Sequence, residues 1–259
     1  MRDADAVIVR ALLTADDTAA LARYAAEIEG WPAGSHRWGH YAEATARGPA
    51  ICRTENVSAC HAGIGALVSG PLSDVASGRL GEPATAFKDK LNFKQPGGAG
   101  FLPHQDAVAY PGAGRVLSLL VAIDACTRAS GCLWMAAGVD EVLAVDDRGV
   151  VRDDVCATLA WVPLELEPGD AICIDGFAPH YSDANRTGAA RRVLVASYSP
   201  GTSGYTRASY YERRAAVMSD ATGRDGRFRI STLADFAGTE VGSGERAPAV
   251  CTHPPAGRE

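Results

Sequence analysis

The chain has no C-x-x-C pair, no apolar run long enough for a bilayer, no excess of positive charge and no low-complexity linker. Each absence excludes something. Seven cysteines, an odd number, are scattered at 52, 60, 126, 132, 156, 173 and 251, so they do not read as a disulfide framework. Several, such as Cys173 within AICID, sit in apolar surroundings where a free thiol behaves as a small hydrophobe. A reducing cytoplasm is the expected location. The N-terminal MRDADAVIVRALL carries acidic charge early, and its apolar run is too short for a signal peptide. No stretch approaches the ~18 residues of a membrane span, so no membrane partner is expected. A net charge of -6 argues against a nucleic-acid surface. Without a linker the chain reads as one domain over residues 1–218. A Gly-, Arg-, Asp- and Pro-rich extension follows at 219–259 and is expected to be partly flexible.

What is present is an ordinary globular composition, 47% hydrophobic and 22% charged, with enough chain for a sizeable core. Residues 6–13 (AVIVRALL) read as a buried strand. Thr14 caps a helix with Asp17 three positions on, and Leu21, Tyr24, Ala25 and Ile28 recur at helical spacing until Gly30. Residues 31–60, with Trp31, His36, Trp38, His40 and Tyr41, read as irregular, and 59–79 as a second helical region. From Phe87 the pattern turns to short strands at 117–124, 161–166, 170–174 and 192–198, punctuated by turns such as Pro168-Gly169-Asp170. A helix is expected over 207–218. Helix-sized patterns between the strands are missing, which disfavours a doubly wound sheet. The expected fold is mainly β with flanking helices, a double-stranded β-helix (jelly roll, cupin-like).

The stretch FKDKLNFKQPGGAGFLPHQD, Phe87 to Asp106, is the centre of the functional reading. It ends in His104-Gln105-Asp106. Residues i and i+2 of a strand share a face, so His104 and Asp106 could ligate one metal, with His180 from another strand as third ligand. Two histidines and a carboxylate form the facial arrangement of non-haem Fe(II) oxygenases. Eleven residues after His180 stands Arg191, opening RRVLVASYS. Its fork could grip a carboxylate, but strand parity alone does not choose between Arg191 and Arg192. Pro96 to Gly100 lacks the Gly-Lys-Ser/Thr ending of a phosphate-binding loop and reads as a tight turn or bulge.

At HQD (104–106), PGD (168–170) and PHYSDANRTGAARR (179–192) the chain resembles the phytanoyl-CoA hydroxylase-type Fe(II)/2-oxoglutarate dioxygenases, over about residues 6–218. The resemblance implies Fe(II) held by His104, Asp106 and His180, the catalytic set. It also implies 2-oxoglutarate anchored by Arg191 and assisted by Ser182, and O2 as oxidant. Asp106 implies hydroxylation, because halogenases of this kind have a small residue there. FKDKLNFKQPGGAGFLPHQDAVAY and YSPGTSGYTRASYYERRAAV are similar to the branch that oxidises 2-aminoethylphosphonate or its N-trimethyl form. GCLWMAAGVDEV departs from it, with Ala-Ala-Gly-Val-Asp where members commonly carry Pro-Gly-Ser-His.

Alternation divides residues 87–94 into Phe87, Asp89, Leu91 and Phe93 on one face, and Lys88, Lys90, Asn92 and Lys94 on the other. The plain reading of the lysine face is the solvated side of an edge strand. The functional one is a cationic wall, with Asn92 at the co-substrate and Lys90 and Lys94 at an anionic substrate. Trp134 is a candidate cover for a cationic headgroup, against core packing as the plainer role. Tyr110, Tyr198 and the loop from Trp38 to Tyr41 are similar candidates. The partner expected is a small molecule, with a homodimer left open. Rival readings are a tailoring hydroxylase or desaturase of a natural-product or amino-acid pathway, a cupin-like metal isomerase, and a non-catalytic binding module. An isomerase would not need Arg191, and cupins of that kind usually present His-x-His, absent here.

Overall fold

Alternating side chains make much of this chain a set of short strands separated by turns. The computed structural model describes residues 5–32, 37–45, 48–147, 149–221 and 239–240. In chain order the elements are β1 (Ala6–Val9), α1 (Ala15–Glu29), β2 (Gly39–Thr45), β3 (Gly48–Glu55), α2 (Ala62–Ser69), α3 (Pro71–Leu80), β4 (Ala84–Lys94), β5 (Phe101–His104), β6 (Leu117–Ala122), β7 (Leu133–Ala136), α4 (Asp153–Cys156), β8 (Trp161–Leu164), β9 (Ala171–Asp175), β10 (His180–Ser182), β11 (Arg191–Pro200), α5 (Arg207–Ala221) and β12 (Thr239–Glu240). A large antiparallel sheet runs β1-β9-β6-β11-β4-β3-β2-β12, and a smaller one runs β5-β10-β7-β8.

The period of two decides what each face of the large sheet meets. Leu91 and Phe93 of β4, Leu119 and Val121 of β6, and Leu194 and Ala196 of β11 turn outward. There they join Leu21, Ala25, Ile28, Ile64, Val68 and Leu72 of the three N-terminal helices in one core. Each such large side chain, fully buried, stabilises by roughly 1.5–3 kcal/mol. The opposite parity, Ala122, Ile172, Ile174, Val193 and Val195, turns inward onto Met135 and Leu164 of the smaller sheet. Two antiparallel sheets face to face with helices on one outer side form the double-stranded β-helix that the strand pattern predicts.

Thr14 caps α1 as expected, accepting from the Asp17 N–H at 3.1 Å and donating to its carboxylate at 2.7 Å. Gly30 closes that helix. Four readings change. The first strand stops at Val9, because Ala11 takes a positive φ of 46° and gives its N–H to Asp170 at 2.8 Å. The helical region at 59–79 is two helices, since Pro71 has no N–H to continue α2 and instead starts α3. Within 31–60, read as irregular, β2 and β3 pair as a hairpin, and β3 pairs in turn with β4. Finally, β4 lies between β11 and β3, so its lysine face is not the solvated side of an edge strand. Of the extension at 219–259, only 219–221 and 239–240 fall within the described residues, and His36 lies outside them. No helix among the described residues is long and apolar enough to cross a membrane.

Candidate active site

β5 and β10 are ladder partners with His104 directly opposite His180, and the two rings lie 4.3 Å apart. Asp106 reaches them differently from strand alternation. It has left β5, its backbone is right-handed helical (φ −66°, ψ −35°), and it opens a short 3-10 turn at 107–109. That turn swings one carboxylate oxygen to 3.8 Å from His104 Nε2. One ligand atom from each of His104, Asp106 and His180 lies within 4.8 Å of the others. Each imidazole donates its Nδ1–H to the carbonyl two residues back, His104 to Leu102 at 2.7 Å and His180 to Ala178 at 3.0 Å. A carbonyl can only accept, so both Nε2 lone pairs are left for a metal. Ser118 Oγ donates to the outer Asp106 oxygen at 2.5 Å.

The electrostatics suit the same ligand set. Burial, then His104, pushes the His180 imidazole down to about 4, so it is neutral at pH 7. Burial works against the Asp106 carboxylate, but His180, His104, Lys90 and Lys88 outweigh it and hold the group below the usual carboxylate range. Two imidazoles and a carboxylate on one side of an open space fit a divalent first-row metal such as Fe(II).

A cleft opens over these three residues. Its walls come from both sheets, and ladder register tells which residues share the inner face. Lys94 stands opposite Arg191, Asn92 opposite Val193, and Lys90 opposite Val195. On the other flank of β4, Arg53 stands opposite Asn92 and Glu55 opposite Lys90. Lys90, Asn92, Ser182 and Arg191 all line the cleft, with Phe101, Cys126, Leu133, Leu164 and Leu166.

The arginine pair divides as parity requires. Arg191 is 5% exposed, donates through Nη2 to Gly131 O at 2.7 Å, and has a buried Nε without a hydrogen-bond partner among the described residues. Arg192 turns to the other face and clasps Asp124 with two bonds of 2.8 and 2.9 Å. Lys94 does not line the cleft. Its ammonium sits behind Ser182, donating to Ser182 Oγ at 2.8 Å, Gly131 O at 3.2 Å and Asp183 O at 2.5 Å. Burial, then Arg191, pushes its pKa well below the ordinary lysine value.

Two substrate candidates are displaced. Trp134 alternates with Leu133, which faces the cleft, so its indole lies on the far side of the small sheet. There it stacks on Tyr181 at 5.9 Å with Arg128 at 5.6 Å. Tyr110 packs among Phe87, Tyr205 and Tyr210, and its hydroxyl meets Lys88 Nζ at 2.8 Å without reaching the cleft. Tyr198 is core, donating its hydroxyl to Val68 O at 2.7 Å. Trp38 packs on Trp31, and Tyr41 lies in β2.

Sequence reading passes over three contributors. Arg53 and Glu55 enter the inner face through β3, which carries no strong strand signal. Gln105, between the two ligands, donates its amide to Glu141 O and Phe177 O and accepts from Leu143 N–H, tying the 138–147 loop to the metal-side turn. The glycine turn before β5 behaves as expected. A Cβ on Gly100 would stand 2.2 Å from Ser182 O, so only glycine allows the strand lead-in to approach β10 this closely.

The profile of the phytanoyl-CoA dioxygenase (PhyH) family matches residues 2–193. The chain is 36% identical over 231 residues to a methylphosphonate hydroxylase of Gimesia maris, covering 87% of this chain and 88% of that one. It is 36% identical over 193 residues to a 2-aminoethylphosphonate dioxygenase of an uncultured bacterium, covering 72% and 74%. Among solved structures, EctD from S. alaskensis with 2-oxoglutarate and 5-hydroxyectoine superposes with a TM-score of 0.66 at 22% identity, over 78% of this chain and 74% of that one. AviO1 from Streptomyces viridochromogenes superposes with a TM-score of 0.63 at 22% identity, over 76% and 90%. At such identities the superpositions establish the shared fold.

Proposed function

The chain belongs to the phytanoyl-CoA dioxygenase family and is a dioxygenase, and on that premise we propose that it hydroxylates a C–H bond of a small organophosphonate. It would use Fe(II), 2-oxoglutarate and O2. His104, Asp106 and His180 would hold the iron through two Nε2 atoms and one carboxylate oxygen. The bound metal and its co-substrate would supply the oxidising power, with 2-oxoglutarate leaving as succinate and carbon dioxide. The protein's own task is placement. Arg191, with a free buried Nε–H, and the Ser182 hydroxyl would grip the far carboxylate of 2-oxoglutarate. The apolar side chains of Leu133, Leu164 and Leu166 keep water from that end of the cleft.

The observation that carries the substrate class is the row Lys90–Asn92 on the cleft wall beside the metal ligands. An ammonium and an amide suit a doubly charged phosphonate oxygen set, and both of the relatives above act on phosphonates. Asn92 is within 3.3 Å of Arg53 Nε, which orients its carboxamide and leaves the amide N–H₂ for an anion. The test is succinate release and phosphorus NMR with Fe(II), 2-oxoglutarate and O2. The panel is methylphosphonate, 2-aminoethylphosphonate, its N-trimethyl form, and carboxylate analogues of each. A new hydroxyphosphonate resonance matched by succinate supports the reading. Coupled turnover of the carboxylates alone would overturn the phosphonate assignment while keeping the dioxygenase one.

A further inference from the structure

Lys94 and Arg191 are direct cross-strand neighbours on the inner face, and both are buried, 3% and 5% exposed. Like charges placed opposite each other on a sheet are destabilising, and buried charges without a counter-ion more so. Among the described residues neither is bonded to a carboxylate. Instead the Lys94 ammonium spends three N–H bonds on three uncharged oxygens: Ser182 Oγ, Gly131 O and Asp183 O. Gly131 O is shared, since Arg191 Nη2 donates to it as well. Gly131 itself has φ 75°, and a Cβ there would lie 2.9 Å from Lys94 Nζ and 2.2 Å from Asp183 O. Only glycine lets one carbonyl serve both cations.

We propose that Lys94 is a positioning residue for the far carboxylate of the co-substrate, acting through Ser182 and Gly131 without touching it. The proposal rests on the reading of Arg191 and Ser182 given above. An ammonium that donates to Ser182 Oγ occupies a lone pair, so the hydroxyl hydrogen turns away from Lys94, toward the cleft. The shared carbonyl fixes the guanidinium so that its unpartnered Nε–H faces the same space. A carboxylate arriving there completes both groups and gives the buried pair a directly bonded counter-charge, which Asp183, Glu43 and Asp124 provide only from a distance.

The test compares 2-oxoglutarate with 2-oxobutyrate, which keeps the 2-oxo acid end and lacks the far carboxylate. For Lys94→Met the expected result is a KM for 2-oxoglutarate raised about 10- to 100-fold, the range of a charge-assisted hydrogen bond. KM for 2-oxobutyrate and bound iron stay unchanged, so the preference between the two acids shrinks. Ser182→Ala reproduces part of this loss, and Lys94→Met adds little on top of it, because both act along one path. Equal losses for both acids, full additivity, or an unchanged preference would overturn the proposal. If Lys94→Met does not fold, Lys94→Gln and Ser182→Ala carry the same readout, and unchanged preference in either is equally fatal. A wild-type enzyme indifferent to the far carboxylate would instead overturn the co-substrate reading, and this inference with it.

Discussion

The inner face of the large sheet carries two groups of cations, and they are balanced in opposite ways. Around Lys90 the sheet supplies its own counter-charge. Glu55 stands across the ladder, with Arg53 Nη1 at 3.4 Å and Arg214 from α5 at 3.0 Å. Burial would raise the Glu55 carboxyl, yet Arg214, Lys88, Arg53 and Lys90 together hold it below its ordinary value. Around Arg191 there is no such carboxylate among the bonded partners, only backbone and hydroxyl oxygens. The difference separates two kinds of anion site. The first is an anchored network that stays net positive and can attract a ligand without depending on it. The second has no directly bonded carboxylate and, on the co-substrate reading proposed above, is completed when one binds.

The largest effect that would sharpen this contrast is on stability. Glu55→Gln removes the carboxylate that offsets buried Arg53 and Arg214, and should cost roughly 3–5 kcal/mol of unfolding free energy. The pH dependence has a definite sign. A carboxyl held below its ordinary 4.5 adds stability at neutral pH that is lost as pH falls from that value toward its lowered folded one. Glu55→Gln should therefore flatten the acid side of a denaturation-versus-pH curve, and an unchanged acid limb would contradict the anchored-network account. Arg191→Leu should do the reverse: cost little stability, or gain some, because it relieves an unbalanced charge. KM for 2-oxoglutarate should nevertheless rise about 100-fold, as for a buried charged hydrogen-bond partner. A large loss of melting temperature in Arg191→Leu would place the two groups in one class.

How far these features are legible in sequence depends on how local they are. The candidate ligands His104, Asp106 and His180 sit in short motifs that residue type and spacing bring to notice, while the choice of Arg191 over Arg192 comes from the family resemblance and not from strand parity. The alternation of β4 is equally visible, and it correctly separates Lys90 and Asn92 from Leu91 and Phe93. What the sequence does not carry is pairing. The registers that set Glu55 against Lys90 and Lys94 against Arg191 join segments 35 and 97 positions apart, and no local pattern marks such contacts. Gly48, Pro49 and Ala50 weaken the strand signal of β3, which hides Arg53 and Glu55. Trp134 misleads for the opposite reason: it neighbours a true cleft residue, and one step of strand parity decides which of the two faces inward.

The smallest effects discriminate most finely, because they ask whether one wall of the cleft has a side. Lys90 and Trp134 were both candidates to meet the substrate, and the structure puts them on opposite sides of a sheet. Lys90→Met removes a cation from the net-positive network without orphaning Glu55, which keeps Arg53 and Arg214. It should raise the phosphonate KM about tenfold, as expected for one charge-assisted contact, with KM for 2-oxoglutarate and melting temperature nearly unchanged. Trp134→Leu strips an outward stack on Tyr181 and should cost on the order of 1 kcal/mol of stability while leaving both KM values in place. Steady-state kinetics of the two variants on one phosphonate decide the matter. If Trp134→Leu shifted the phosphonate KM and Lys90→Met did not, the substrate would approach from the smaller sheet's outer side. The row beside the metal ligands would then be an electrostatic support for Asp106 and no more.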